Sequence, residues 1–192
     1  KADYSAEVST LASAGGDAVA VIGYLDQGGK GIIQGSLDSG AFDTFILSDG
    51  MIGDSLTDTF GKSLNKSFGS LPGSTGKGAG VFAKVAGKAG IDPSGPYTGE
   101  SYDAAALIVL AMQAGGSADR ASIAKNVMAV ANGPGKKIYP GQLKKALDLL
   151  AKGKAVDYEG ATGVIFTDVG EHVGNFLEKE IKGGKFKTKK QR

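Results

Sequence analysis

Apolar positions along this chain switch between two repeats. Over residues 3–14, Tyr4, Val8, Leu11 and Ala12 fall on one helical face and Gly15-Gly16 follows, so a short amphipathic helix is expected. Ala18-Val19-Ala20-Val21-Ile22 is a continuous apolar run rich in β-branched residues, the pattern of a strand buried on both faces in a parallel sheet. Residues 28–39 form a second helix through Ile32, Ile33 and Leu37, in spite of three internal glycines, and Thr44-Phe45-Ile46-Leu47 is the next strand. Strand, helix and strand within roughly 30 residues make a βαβ unit, with parallel strands and a right-handed crossover. Ligands of such sheets sit outside the carboxyl ends of the strands, where Tyr24 follows the first strand and Asp49 the second.

Residues 51–76 are richer in Ser, Thr, Gly and Asp, and the run 69–76 reads as a linker or hinge with a boundary near Pro72. Helical patterns follow over 81–89 and 102–114. The second is apolar nearly all round through Ala104 to Leu110, which requires burial. Ser117 is the expected cap of a helix carrying Ile123, Val127 and Val130, and Pro140 opens another with Leu143, Leu147 and Leu150. Strands return only at 164–166 and 176–181. A region with that many helices and so little sheet implies that its sheet partner is not in this chain.

Composition narrows the chemistry. The 192 residues are 41% hydrophobic and 22% charged, a core-forming composition, and the 32 glycines lack a collagen period. No run approaches the roughly 20 apolar residues of a membrane span. With no Cys and one His, thiol catalysis, thiolate zinc and multi-His metal sites are excluded. Lys182, Lys185, Lys187, Lys189, Lys190 and Arg192 crowd the last eleven residues without an acid, leaving 16 basic against 20 acidic groups elsewhere. That run is expected to be a solvated, frayed end rather than a nucleic-acid arm. The chain opens at Lys1 without Met or a signal-peptide pattern, which reads as a processed product or a fragment.

Two motifs fail on their own requirements. Around Gly73-Ser74-Thr75-Gly76-Lys77-Gly78, a phosphate loop needs Gly where Leu71 stands and Ser or Thr where Gly78 stands. Gly53-Asp54-Ser55-Leu56 spells the nucleophile block of GDSL-type esterases, but Ser55 needs a His base three residues after an acid. The single His172 lies four after Asp168, in a turn between strands. Asp54 and Asp58 have helix spacing but no apolar neighbour to separate their acidities, so they form a solvated face.

Tyr24, Asp49 and Tyr97 remain, the last held before the buried helix by the turn Asp92-Pro93-Ser94-Gly95-Pro96. Two rings and one carboxylate suit a small zwitterion: the rings cover an aliphatic side chain and Asp49 pairs with an ammonium, a charge-assisted bond worth about 1.5–3 kcal/mol. Surface or core-packing roles for the three are the alternative.

Six stretches in order resemble the branched-chain amino-acid-binding proteins of ABC transporters. They are Asp3-Tyr4-Ser5-Ala6, residues 21–29 (Val21-Ile22-Gly23-Tyr24 onward), Ser48-Asp49-Gly50, residues 92–97, Ser101-Tyr102-Asp103-Ala104-Ala105-Ala106, and residues 158–163 with Phe166. No single piece is diagnostic; their order and spacing are. The resemblance is to the C-terminal half only. It implies an α/β fold of the type I periplasmic-binding-protein kind, with parallel sheets flanked by helices in two lobes and this chain supplying the C-terminal half of both. Residues 1–72 then belong to the second lobe and 73–174 to the first, while 175–192 return to the second and end in the basic tail. By the same resemblance Tyr24 and Asp49 are second-lobe ligand contacts, and Tyr97 reaches the cleft beside the hinge. Family members often carry Glu where Asp49 stands, so this shorter side chain needs a closer approach or a bridging water. The implied protein is periplasmic or otherwise extracytoplasmic and performs no chemistry. Its partners are an amino acid, aliphatic or branched-chain, an ABC permease, and the N-terminal half of the same protein. Neither a nucleic acid nor a cofactor is implied. The same fold also serves ligand-sensing receptors and regulators, which the residues leave open.

Overall fold

The computed structural model describes residues 3–74 and 76–192, so Lys1, with which the fragment reading began, and Thr75 of the phosphate-loop lookalike lie outside the described residues. The chain divides into two compact units, one ending at Pro72 and completed by Phe176–Arg192, the other Gly73–Asn175.

The first unit opens with α1 (Ser5–Ala14), then alternates β1 (Val19–Val21), α2 (Lys30–Ser39), β2 (Phe45–Leu47), α3 (Asp54–Phe60) and β3 (Phe68–Pro72). β1, β2 and β3 are parallel neighbours, with Val19 opposite Phe45 and Ile46 opposite Phe68. β6 (Phe176–Ile181) joins β3 antiparallel and β7 (Phe186–Gln191) joins β6, giving the order β1-β2-β3-β6-β7. Ile33 of α2 and Leu56 of α3 are fully buried against Val19, Val21, Phe45, Leu47 and Leu71 on one face of this sheet.

Several expectations are corrected in this unit. The run from Ala18 to Ile22 is not buried on both faces: Val19 and Val21 are buried, whereas Ala20 is exposed and Ile22 is 88% exposed. Only one side of β1 is covered, so period-two burial replaces the continuous run. Residues 25–29 are a π-helical turn broken at Gln27 and Gly28, and α2 starts only at Lys30. The run expected as linker contains β3, because its alternation of Gly69 and Leu71 inward with Phe68 and Ser70 outward satisfies a sheet. The basic end is not frayed. A Gly183-Gly184 turn folds it back as β7, where Phe186 joins the core and Lys189 and Arg192 both pair with Glu178.

The second unit contains α4 (Gly76–Lys88), α5 (Thr98–Gly115), α6 (Arg120–Ala131), β4 (Lys136–Ile138), α7 (Leu143–Leu150) and β5 (Val156–Tyr158). β4 and β5 form a parallel two-stranded sheet that the sequence pattern missed, since strands of three residues are too short to carry a period. The strand expected over 164–166 is instead an isolated bridge from Phe166 to His172. The cap before α6 is Asp119, not Ser117, whose hydroxyl donates to Asp119 Oδ2 at 2.8 Å.

α5 ends where Gly116 adopts the left-handed conformation and its N–H donates to carbonyls one turn back. Its Leu107, Leu110 and Ala111 pack on Val130 of α6, Ile138 of β4, and Val156 and Tyr158 of β5. Full burial of this helix is not observed: Ala104, Ala105, Ile108 and Val109 are exposed, because two short strands and two helices cover only one of its faces. Among the described residues no helix is long and apolar enough to cross a membrane.

Candidate functional site

In the first unit, the carboxyl ends of β1 and β2 are stitched together by Ser48. Its backbone N–H donates to Val21 O at 3.1 Å, and its hydroxyl oxygen accepts from Gly23 N at 3.2 Å. This holds the two following loops side by side, so Tyr24 and Asp49 emerge from adjacent strands. Tyr24 caps the π-helical turn, its carbonyl accepting from Gln27 N and Gly29 N, each at 3.2 Å. Tyr24 is 62% exposed.

Asp49 opens a 3-10 turn through Met51 and is exposed, with Oδ1 accepting from Gly50 N at 2.8 Å. Gly50 is the contact between the two. A β-carbon there would lie 2.5 Å from Gly23 O and 2.8 Å from Tyr24 Cδ1. Only glycine lets the Tyr24 ring lie against the turn that carries Asp49. The pair therefore presents an aromatic face and an anionic group from one rigid corner, suited to a cationic group with an attached apolar portion.

Tyr97, in the second unit, is the only non-glycine residue with positive φ among the described residues, at 59°. It stands at the N-terminus of α5, where its carbonyl accepts from Ser101 N at 2.9 Å. The preceding turn is set by Asp92 Oδ1, which accepts from Ser94 N at 2.9 Å and from Ser94 Oγ at 2.7 Å; these bonds hold the Asp92 carboxyl below the usual aspartate range. Tyr97 borders an open apolar recess of about 530 Å3 with Phe82, Val85, Ile91 and Tyr102.

The unit has a second polar feature that pattern reading did not assign a role. Asp103, buried within apolar α5, accepts from Tyr158 Oη at 2.8 Å, from the backbone N–H of Ala161 and Thr162, and from Thr162 Oγ1 at 2.8 Å. Hydrogen bonds rather than an ion pair satisfy this carboxylate. Burial first, and then the charge of Asp103, push the Tyr158 phenol up beyond the ordinary tyrosine range. Gly160, at φ 60°, leaves the room that the Asp103 carboxylate occupies. The legible signal was a carboxylate directly before the apolar run from Ala104 to Leu110, which, once buried, must find donors elsewhere.

Ser55 of the esterase-like block is exposed on α3, and among the described residues no base is hydrogen-bonded to its hydroxyl. His172 lies in the other unit, edge-on to Phe166. Asp54 and Asp58 are exposed on α3. Among the described residues no group of three His, Cys, Asp or Glu is placed to hold a metal ion.

No protein-family profile matches the chain. A stretch of 98 residues, 50% of the chain, is 35% identical to the chemotactic signal transduction system substrate-binding protein BasB of Halobacterium salinarum, covering 24% of that protein. Among solved structures, the leucine-binding protein LivK of Thermotoga maritima overlays 100% of this chain on 49% of its own, with TM-score 0.69 and 19% identity. A type 1 periplasmic binding protein of Bordetella pertussis overlays 98% of this chain on 50% of its own, with TM-score 0.66 and 19% identity. The chain thus spans about half the length of these structures.

Proposed function

We propose that this chain, whose fold is that of the type I periplasmic binding proteins, is the C-terminal half of an extracytoplasmic solute-binding protein that captures an amino acid between two lobes and presents it to an ABC permease. The observation that carries the reading is the Tyr24–Gly50–Asp49 corner at the carboxyl ends of two adjacent parallel strands. Asp49 takes the α-ammonium, Tyr24 covers an aliphatic side chain, and Tyr97 closes from the other lobe. In this assignment residues up to 72 and from 175 onward form the second lobe and 73–174 the first. The α-carboxylate is held by the N-terminal half. A ligand that touches both lobes only when they are shut stabilises the closed form by its differential affinity, which lets a permease distinguish loaded from empty protein. The solved structures it overlays are those of binding proteins, and no bond of the ligand is broken in this reading.

The experiment is calorimetry of the polypeptide as encoded in full against aliphatic, polar and acidic L-amino acids, repeated with Asp49→Ala. Saturable binding of one class, weakened at least tenfold or about 1.4 kcal/mol by the substitution, is expected. No heat from folded protein with any amino acid would remove the assignment. Ligand sensing is the alternative use of the same capture step, and the haloarchaeal relative's name is that of a chemotaxis component. Loss of uptake on gene deletion favours transport; loss of taxis with uptake intact favours sensing. The remote esterase alternative predicts an ester hydrolysis abolished by Ser55→Ala.

A further inference from the structure

The first unit is divided by charge. Up to Pro72 it carries 4 basic against 9 acidic residues, and over Phe176–Arg192 it carries 7 basic against 2 acidic ones. That last segment is the β6–β7 hairpin, so the excess of positive charge sits along one edge of the sheet.

The turn of this hairpin gathers lysines. Gly183 and Gly184 both adopt positive φ, 65° and 74°, the two-residue turn that matches the twist of paired strands. Lys182 and Lys185 close it, the Lys182 N–H donating to Lys185 O at 2.9 Å. Both residues are exposed, and like charges facing each other across a strand pair are unfavourable. A third lysine arrives from a distant part of the chain. Gly184 N–H donates to Asn65 Oδ1 at 3.0 Å, and a β-carbon on Gly184 would lie 3.1 Å from Lys62 N. The turn is thereby seated on the 3-10 segment Gly61–Leu64, which sets the exposed Lys62 beside Lys182 and Lys185. Acids of this region are engaged elsewhere: Asp43 pairs with Lys66, Glu178 pairs with Lys189 and Arg192, and Glu180 stands opposite Lys187 in the register.

The place of the cluster separates it from the Tyr24–Asp49 corner. β6 runs antiparallel to β3, with Phe176 opposite Pro72 and Glu180 opposite Phe68. The hairpin turn therefore lies at the amino ends of β1–β3, whereas Tyr24 and Asp49 follow the carboxyl ends of β1 and β2. An anion held at the turn leaves that corner free.

Side-chain chemistry narrows the partner. Lysine is a point charge on a flexible stem and lacks the planar fork with which arginine grips one phosphate or carboxylate. The aromatic residue nearest the turn in sequence, Phe186, packs against the core and offers no ring for a base to stack on. Mobile point charges on a turn suit a surface that is anionic over an area.

We infer that Lys62, Lys182 and Lys185 form an electrostatic docking surface for a bilayer rich in anionic lipid headgroups. Each lysine adds to an attraction that acts within a Debye length of the headgroups. With the turn against the bilayer, the carboxyl ends of β1 and β2 point away from it. The inference needs no amino-acid ligand, so it and the capture reading can fail separately.

The test is co-sedimentation of the polypeptide as encoded in full with vesicles of phosphatidylcholine alone and of phosphatidylcholine with phosphatidylglycerol in equal parts. The protein is expected to bind the anionic vesicles preferentially and to leave them at about 0.5 M salt. Lys62→Gln, Lys182→Gln and Lys185→Gln together should weaken that binding at least about tenfold, with Tm and amino-acid calorimetry unchanged. Lys182→Arg with Lys185→Arg keeps the charge and should retain it. Removing the same charge from exposed positions of the second unit, by Lys145→Gln, Lys152→Gln and Lys154→Gln, should weaken it less than about twofold. No binding to anionic vesicles, the same binding to both kinds, or equal loss from the two triple variants overturns the inference. Tighter binding to duplex DNA than to the anionic vesicles assigns the cluster to nucleic acid and overturns it as well.

Discussion

At the scale of single residues, the site and its support depend on groups that have one acceptable identity. Gly50→Ala drives a β-carbon into Gly23 O and the Tyr24 ring; overpacking of this kind costs about 1–3 kcal/mol. Its expected signature is a lowered Tm together with weakened ligand binding in calorimetry, whereas Asp49→Ala weakens binding with little change in Tm because Asp49 is exposed. Tyr158 makes a pH prediction. Its folded-state pKa is raised above the ordinary value of 10.0 by burial and by Asp103, so its contribution is complete below that value and is lost as pH rises past it. Stability to urea should fall above pH 10 by about 1.4 kcal/mol per pH unit for this group, and Tyr158→Phe should lack that component. Neither support was visible to pattern reading. Tyr24, Asp49 and Tyr97 could be picked out because they follow strands or a turn, but Gly50 and Ser48 act through atoms that only neighbouring strands bring near.

Elements show the same division. α2 and β2 follow from apolar spacing and glycine stops; α1 forms where its spacing and Gly15 place it, but of its expected stripe only Val8 is buried and Leu11 and Ala12 are exposed. β4 and β5 do not follow from spacing, because three residues carry no period, and β7 does not, because only pairing with β6 sets Glu178 beside Lys189 and Arg192 and turns the strand's own Phe186 onto the core. The charge on β7 has a use at this scale: an edge strand lined with Lys resists pairing with another chain. Replacing Lys187 and Lys190 together by Ile should raise light scattering at unchanged secondary structure by circular dichroism. Glu178 adds a pH effect of the opposite sign to Tyr158. Hydrogen bonds from Arg192 and Lys189 hold its carboxyl below the ordinary 4.5, so its support is present above that value and disappears as pH falls through the lowered one. Glu178→Gln should flatten that part of the acid limb slightly, the pair being screened by solvent.

For the whole molecule, the apolar surface left over is the main fact. The helix face of Ala104, Ala105, Ile108 and Val109 and the sheet face of Ile46 and Phe68 lie in different units and are both open. The 192-residue chain alone is therefore expected to self-associate. Sedimentation velocity checks this, and Ile108→Lys with Val109→Glu should shift the distribution toward monomer. A monomeric chain that unfolds in one cooperative step would contradict the expectation.

The sequence by itself determined the α/β class, the alternation that builds the first sheet, the absence of thiol and multi-His chemistry, and the two tyrosines and one carboxylate worth testing. Each of these depends on residue type and local spacing, which the linear order carries in full. Tertiary structure alone decided that β1 is covered on one side, that α5 is half bare, that the basic end is a strand, and that Asp103 finds its donors some 55 residues away. Burial and hydrogen-bond satisfaction are properties of what lies on the other side of an element. That neighbour comes from a distant part of the chain, so no local pattern encodes it.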